Sequence, residues 1–138
     1  VAKTETNRGA CLCGAVSYQV LGPLRPVVAC HCNQCRRTSG HHVAATSANR
    51  GDLRITGEDA ITWFTSSPGI RRGFCRFCGS NLFWDNQARP SVSIMSGTLD
   101  RPTNLTLIGH IHTASKGDYY EIADGLPSHP HDDHSLTP

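Results

Sequence analysis

Seven cysteines fall into three clusters: Cys11-Leu12-Cys13-Gly14, Cys30-His31-Cys32-Asn33-Gln34-Cys35 and Cys75-Arg76-Phe77-Cys78-Gly79. Spacings of i, i+2 and i, i+3 suit a metal ion better than disulfides. A bridge needs Cα atoms ~4.4–6.8 Å apart with suitably directed Cβ vectors, which neighbours on a strand rarely offer. An odd number of cysteines would also leave one thiol over. A C-x-x-C segment in a tight turn can present two sulfurs to one ion, and glycine after the second cysteine relieves the turn because it tolerates φ > 0. Two such half-sites, distant in sequence, make a four-thiolate tetrahedral zinc site. The first and third clusters both end in Cys-Gly, which pairs Cys11 and Cys13 with Cys75 and Cys78. Cys30, Cys32 and Cys35 then remain, and three ligands with one vacant position describe a catalytic or ligand-exchanging zinc site. Two alternatives stay open: a ribbon-like site joining Cys32 and Cys35 to Cys75 and Cys78, and a metal-free, redox-sensitive triplet.

The other side chains capable of chemistry are less specific. His31, His41 and His42 are candidates for proton transfer, weighed against structural or solvated roles. Arg36, Arg37 and Lys116 could hold carboxylates, although solvated surface charge is the default for each. His110 and His112 are expected on one strand face. His129, His131 and His134 sit in an aperiodic stretch where metal binding would be adventitious.

The elements that must position these residues are short strands. Val16, Tyr18 and Val20 alternate with Ser17 and Gln19, and Leu21-Gly22-Pro23 closes the run. Strands are also expected at 27–29, 43–47, 53–55, 61–64, 70–74, 81–84, 92–95 and 108–112. Residues 36–40 read as a turn or a single helical turn. Eight or nine short strands with no long helix predict an all-β, sandwich-like or barrel-like domain. A single domain is expected over 1–127, followed by a mobile tail at 128–138.

Composition narrows the function. A chain of 138 residues suits one domain with its own core. No stretch approaches the ~18 apolar residues of a membrane span, and VAKTETNRGA at the start is too polar for the core of a secretory signal. The formal charge of +2 assumes neutral thiols; seven thiolates on two divalent ions would turn it slightly negative. Basic residues are dispersed, so nucleic acid is not an expected partner. Free, metal-ready thiols point to the reducing cytoplasm. The oligomeric state is not legible.

Several segments together resemble the glutathione-dependent formaldehyde-activating enzyme family. They are Gly9-x-Cys11-x-Cys13-Gly14-Ala15-Val16-x-Tyr18, Cys30-His31-Cys32-x-x-Cys35-Arg36-Arg37-x-Ser39-Gly40, Ser66-Ser67-Pro68-Gly69, Phe74-Cys75-x-x-Cys78-Gly79-Ser80-x-Leu82-Phe83, Gly97-x-Leu99-Asp100 and Ile122-x-Asp124-x-Leu126-Pro127. The resemblance implies an Mss4-like β-tent of short antiparallel strands. It also implies structural zinc on Cys11, Cys13, Cys75 and Cys78, and catalytic zinc on Cys30, Cys32 and Cys35. The implied activity is that of a carbon–sulfur lyase acting on S-hydroxymethylglutathione, the adduct of glutathione and formaldehyde. Two departures bear on the substrate. His41-His42 replaces the family's small apolar pair, and Tyr119-Tyr120 replaces a late tryptophan. A zinc-stabilised binding or chaperone-like module and a thiol or metal sensor are the competing classes, since a fold does not fix a function.

Overall fold

The computed structural model describes residues 6–137. Among these are ten strands, one α-helix and four single 3₁₀ turns. The mostly-β expectation therefore holds. Residues divide into two compact units: 6–25 with Thr46–Leu105, and Pro26–Ala45 with 106–137.

The first unit contains a three-stranded antiparallel sheet in the order β1 (Thr6–Ala10), β2 (Ser17–Leu21) and β5 (Leu53–Thr56). Tyr18 on the central strand lies opposite Gly9 on one side and Ile55 on the other. A Cβ at Gly9 would sit 2.3 Å from the Tyr18 hydroxyl oxygen, so only glycine lets that ring cross the strand. The hydroxyl then meets Thr98 Oγ1 at 2.7 Å. A second ladder in this unit is an antiparallel meander of β6 (Ile61–Ser67), β7 (Ile70–Cys75), β8 (Asn81–Asn86) and β9 (Ser91–Met95). Val16, Val20, Leu82, Phe83 and Ile94 are fully buried in its core. Phe83 meets Tyr18 edge-on with centroids 5.4 Å apart, and Trp63 stacks on it at 6.2 Å. Asp85, almost wholly buried, receives hydrogen bonds from Arg50 at 2.8 Å and Arg71 at 3.0 Å.

In the second unit β3 (Val27–Cys30) pairs antiparallel with the start of β4 (Val43–Asn49). Its other edge pairs parallel with β10 (Leu107–Ile111). The antiparallel expectation holds for the ladders above, and this one pair is parallel. Parallel neighbours need a long crossover, and the chain between Cys30 and Leu107 supplies one. Helix α1 (Asn33–Ser39) takes in the last cysteine of the triplet and begins earlier than the sequence suggested. Beyond β10 the backbone of residues 127–131 lies alongside it, with a parallel bridge between His110 and Ser128. His110 N–H donates to Pro127 O, His129 N–H to His110 O and His112 N–H to His131 O, all within 3.0 Å.

Candidate metal centres

The seven sulfurs gather as four and three. Ligand atoms of Cys11, Cys13, Cys75 and Cys78 all lie within 4.8 Å of one another, as do those of Cys30, Cys32 and Cys35. Cys32 and Cys35 thus group with Cys30, and not with Cys75 and Cys78.

The four-sulfur cluster is built within the first unit by two knuckles. Cys11 follows β1, and the chain reverses through Gly14, whose N–H donates to Cys11 O at 3.2 Å. Cys75 ends β7, and Gly79 N–H donates to Cys75 O at 2.8 Å. Both glycines take positive φ, +82° and +78°, which L side chains adopt only with strain. Cys13 lies 3.7 Å from both Cys11 and Cys75, sulfur to sulfur. A tetrahedron with ~2.3 Å metal–sulfur arms has edges of about 3.8 Å, so the spacing fits zinc.

Backbone and hydroxyl donors surround these sulfurs. Val16 N–H donates to Cys11 Sγ, Phe77 N–H donates to Cys75 Sγ, and Ser80 Oγ lies 3.2 Å from Cys78 Sγ. Ser80 Oγ also accepts from Leu12 N–H, tying one knuckle to the other. The Ser80 hydroxyl and N–H bring Cys78 down to about 5. Burial would raise the Cys11 thiol, but the Val16 N–H and the sulfurs of Cys13 and Cys75 hold it below its ordinary value. Cys13 goes the other way, up to about 11: the Ala15 N–H favours its thiolate, but desolvation and three adjacent sulfurs outweigh it. Crowded thiols resisting full ionisation are the donor set that a divalent cation completes.

The three-sulfur cluster lies in the second unit, where β3 turns into α1. Cys30 ends the strand and Cys35 occupies the first turn of the helix, buried. Cys32 is the helix N-cap, and its sulfur accepts from Cys35 N–H at 3.3 Å. The sulfurs of Cys30 and Cys35 and the N–H groups of Cys35 and Gln34 hold the Cys32 thiol far below its ordinary value. Cys30 is driven strongly upward by the same sulfur neighbours and by burial.

Behind this cluster runs a side-chain chain that the sequence did not reveal. His31, between Cys30 and Cys32, is buried, and its Nε2 lies 2.9 Å from His110 Nδ1. Nε2 of His110 lies 2.7 Å from the Asp124 carboxylate. On the other side of His31, Nδ1 lies 2.7 Å from the Tyr120 hydroxyl. Burial, with the nearby rings of His42 and His110 disfavouring a further positive charge, brings His31 down to about 4. Burial, with the nearby rings of His41 and His110, lowers His42, whose Nδ1 is buried without a hydrogen-bond partner.

The remaining candidates take defined places. The His41 ring bonds to the Tyr119 hydroxyl. Arg36 donates to Asn33 Oδ1 and Ser115 O, and Arg37 donates to Asn33 Oδ1. Lys116 donates to the carbonyls of Gly117 and Tyr120. His112 does not share a strand face with His110. It lies past the end of β10 with φ +56°, a left-handed conformation that breaks the alternation. His129 pairs with Asp133 at 3.0 Å. No sequence periodicity marks Tyr120 or Asp124, and Asp124 entered only through the C-terminal family motif.

Comparison with known proteins agrees with the donor pattern. The family model described as glutathione-dependent formaldehyde-activating enzyme matches residues 6–115. A Halomonas elongata protein named "Putative glutathione-dependent formaldehyde-activating enzyme" is 30% identical, covering 83% of this chain and 79% of that protein. A crystal structure of a Rhodobacter sphaeroides protein superposes with a TM-score of 0.58 at 27% identity, covering 70% of this chain and 91% of the other.

Proposed function

Because the chain belongs to the glutathione-dependent formaldehyde-activating enzyme family, we propose that it is a zinc-dependent carbon–sulfur lyase. Its substrate would be a thiol adduct such as S-hydroxymethylglutathione, with Cys11, Cys13, Cys75 and Cys78 holding a structural zinc and Cys30, Cys32 and Cys35 a catalytic one. The observation that carries this reading is the three-sulfur cluster itself. A purely structural protein with a complete four-sulfur set has no use for three further convergent thiols.

Zinc bound by three cysteines would supply a site where a substrate thiol, of ordinary pKa ~8.5, is held as its thiolate at neutral pH. In the synthetic direction the thiolate sulfur forms a bond to the carbonyl carbon of formaldehyde, and the C=O π pair moves to oxygen, which takes a proton. In the lytic direction the hydroxyl gives up that proton, the C–S bond breaks and the pair returns to sulfur. Cys32, capping α1, and Cys35, fixed within it, keep two donors on one rigid element. Glutathione is the proposed thiol and a reducing cytoplasm the proposed setting, where the seven cysteines stay available to metal.

Cobalt substitution tests the reading. Glutathione added to the Co²⁺ protein should raise a new sulfur-to-metal charge-transfer band, and S-methylglutathione, which forms no thiolate, should not. Formaldehyde should then disappear faster with protein and glutathione than with glutathione alone. A spectrum indifferent to glutathione would sink the proposal.

One observation favours a second reading, a zinc-stabilised binding module. Leu12 and Phe77, at the tips of the two knuckles, are 88% and 65% exposed. Leu12→Ser with Phe77→Ser should leave formaldehyde turnover unchanged under the lyase reading.

A further inference from the structure

The hydrogen-bond chain behind the three-sulfur cluster has a direction. An ionised Asp124 can only accept, so His110 Nε2 carries a proton toward it. With both rings neutral, His110 Nδ1 is then a lone pair and accepts from His31 Nε2–H. That leaves His31 Nδ1 as a lone pair, which accepts from the Tyr120 hydroxyl. Every partner is fixed by the one before it. Tyr120 spends its single proton inward and has only lone pairs left to offer outward. His31 and His110 are 1% and 4% exposed, so water does not compete inside the chain. Asp124 is held ionised by the Leu126 N–H and by His110.

Tyr120 is also placed near the cluster along two covalent paths. The ring it bonds belongs to the residue between Cys30 and Cys32. Its own segment is fastened to the far side of the triplet, where Arg36, next to Cys35, donates to Ser115 O at 3.2 Å. Lys116 braces the segment by donating to Tyr120 O and by standing 4.8 Å over the Tyr120 ring. A tripeptide thiol anchored by sulfur spans up to about 10 Å, enough to reach past the residues that flank the cysteines.

Resting on the lyase reading, we infer that Asp124 is a positioning residue which, through His110 and His31, sets the Tyr120 hydroxyl as a hydrogen-bond acceptor for the ligand at the Cys30–Cys32–Cys35 cluster, selecting a thiol adduct that carries a free hydroxyl. The hydroxymethyl O–H of an aldehyde adduct satisfies that acceptor. A thioether capped by a methyl group does not, and it leaves the tyrosine lone pairs unpaired.

The test uses the zinc-loaded full chain, with circular dichroism to confirm that each variant is folded. Glutathione binding is measured by calorimetry with and without formaldehyde, beside S-methylglutathione. The hydroxymethyl adduct and S-methylglutathione are both thioethers, so wild type should gain affinity for the adduct over S-methylglutathione through its hydroxyl. Tyr120→Phe should lose about tenfold of that gain, the weight of one hydrogen bond, and keep its affinity for glutathione. Asp124→Asn should lose a similar amount, and the double variant no more than either alone. Side-chain ¹⁵N NMR in mildly alkaline buffer reads the orientation itself. Wild type should show Nε2–H on His31 and His110, and Asp124→Asn a mixture of tautomers. A gain that survives in Tyr120→Phe, or losses that add in the double variant, would overturn the inference. Unchanged tautomers in Asp124→Asn would overturn Asp124's part in it. If wild type binds no glutathione at all, the lyase reading fails and substrate selection falls with it. The tautomer signals would still decide whether Asp124 orients Tyr120.

Discussion

At the scale of single residues, the two sulfur clusters should respond differently to the same substitution. Cys75 is fully buried in the core of the first unit, and its cluster joins two knuckles 62 residues apart in sequence. Structural zinc in zinc-finger peptides is worth an apparent ~10–16 kcal/mol at neutral pH. Cys75→Ser should therefore lose one zinc and most native structure, seen as collapse of the near-ultraviolet spectrum. Cys32→Ser should lose the other zinc and any thiol-binding signal while staying folded, because that cluster closes only a local turn. Equal damage from both would contradict the division of roles. The cysteine groups were legible in sequence because knuckle chemistry is local: C-x-C-G and C-x-x-C-G each write their own turn. The Tyr120–His31–His110–Asp124 chain was not, since its members come together across 89, 79 and 14 residues. The His31–His110 contact at its centre depends on the pairing of β10 with β3, which no local pattern encodes.

Among elements, strands with one apolar face announced themselves, and those without did not. β2 reads out as Tyr18 and Val20 inward, with Ser17 and Gln19 between them. β1, Thr-Asn-Arg-Gly-Ala, carries no apolar alternation and forms because it completes the β2 edge, with Gly9 admitting the Tyr18 ring. The start of α1 was missed because cysteine is not a usual cap, yet Cys32 sulfur accepts from Cys35 N–H in the place of a serine oxygen. The parallel placing of β10 has no local signature either. The β6–β9 meander depends on a pairing that sequence patterning also hides, Asp85 between Arg50 and Arg71. Burial would raise the Asp85 carboxyl, but the two guanidinium groups hold it below the usual carboxylate range. A depressed folded-state value stabilises the fold above the ordinary carboxylate pKa and loses that contribution as pH falls through the lowered value. Asp85→Asn should cost about 3 kcal/mol at neutral pH, at the low end for a broken buried pair because both arginines are partly exposed. The gap between variant and wild type should narrow in acid, read from urea melts at several pH values. A constant gap would assign the loss to packing rather than charge.

For the whole molecule, the division of seven thiols between two units sets how metal should leave. In the first unit the four-sulfur set is complete: Cys11 and Cys75 are buried, and hydrogen bonds reach the sulfurs of Cys11, Cys75 and Cys78. Although Cys13 is exposed, zinc held there would be freed only by breaking the buried Cys11 and Cys75 arms, which opens the surrounding core. In the second unit the proposed site has three sulfurs, which would leave one coordination position for an exchanging ligand and let a chelator enter directly. Zinc should therefore be released in two phases on adding a chelator with a chromogenic readout. The first equivalent should leave quickly with the far-ultraviolet spectrum unchanged, and the second slowly, in step with loss of that spectrum. Glutathione, bound at the open position, should slow the first phase and leave the second alone. Mass action gives the expected size: a ligand at 100 times its dissociation constant stabilises its site by about 2.7 kcal/mol, roughly a hundredfold in equilibrium. Cys32→Ser should remove the fast phase entirely and preserve the slow one. Release of both equivalents together with unfolding would show that the second site is as structural as the first. The three-sulfur cluster would then be a second staple, and a thiol substrate would have no open position to occupy.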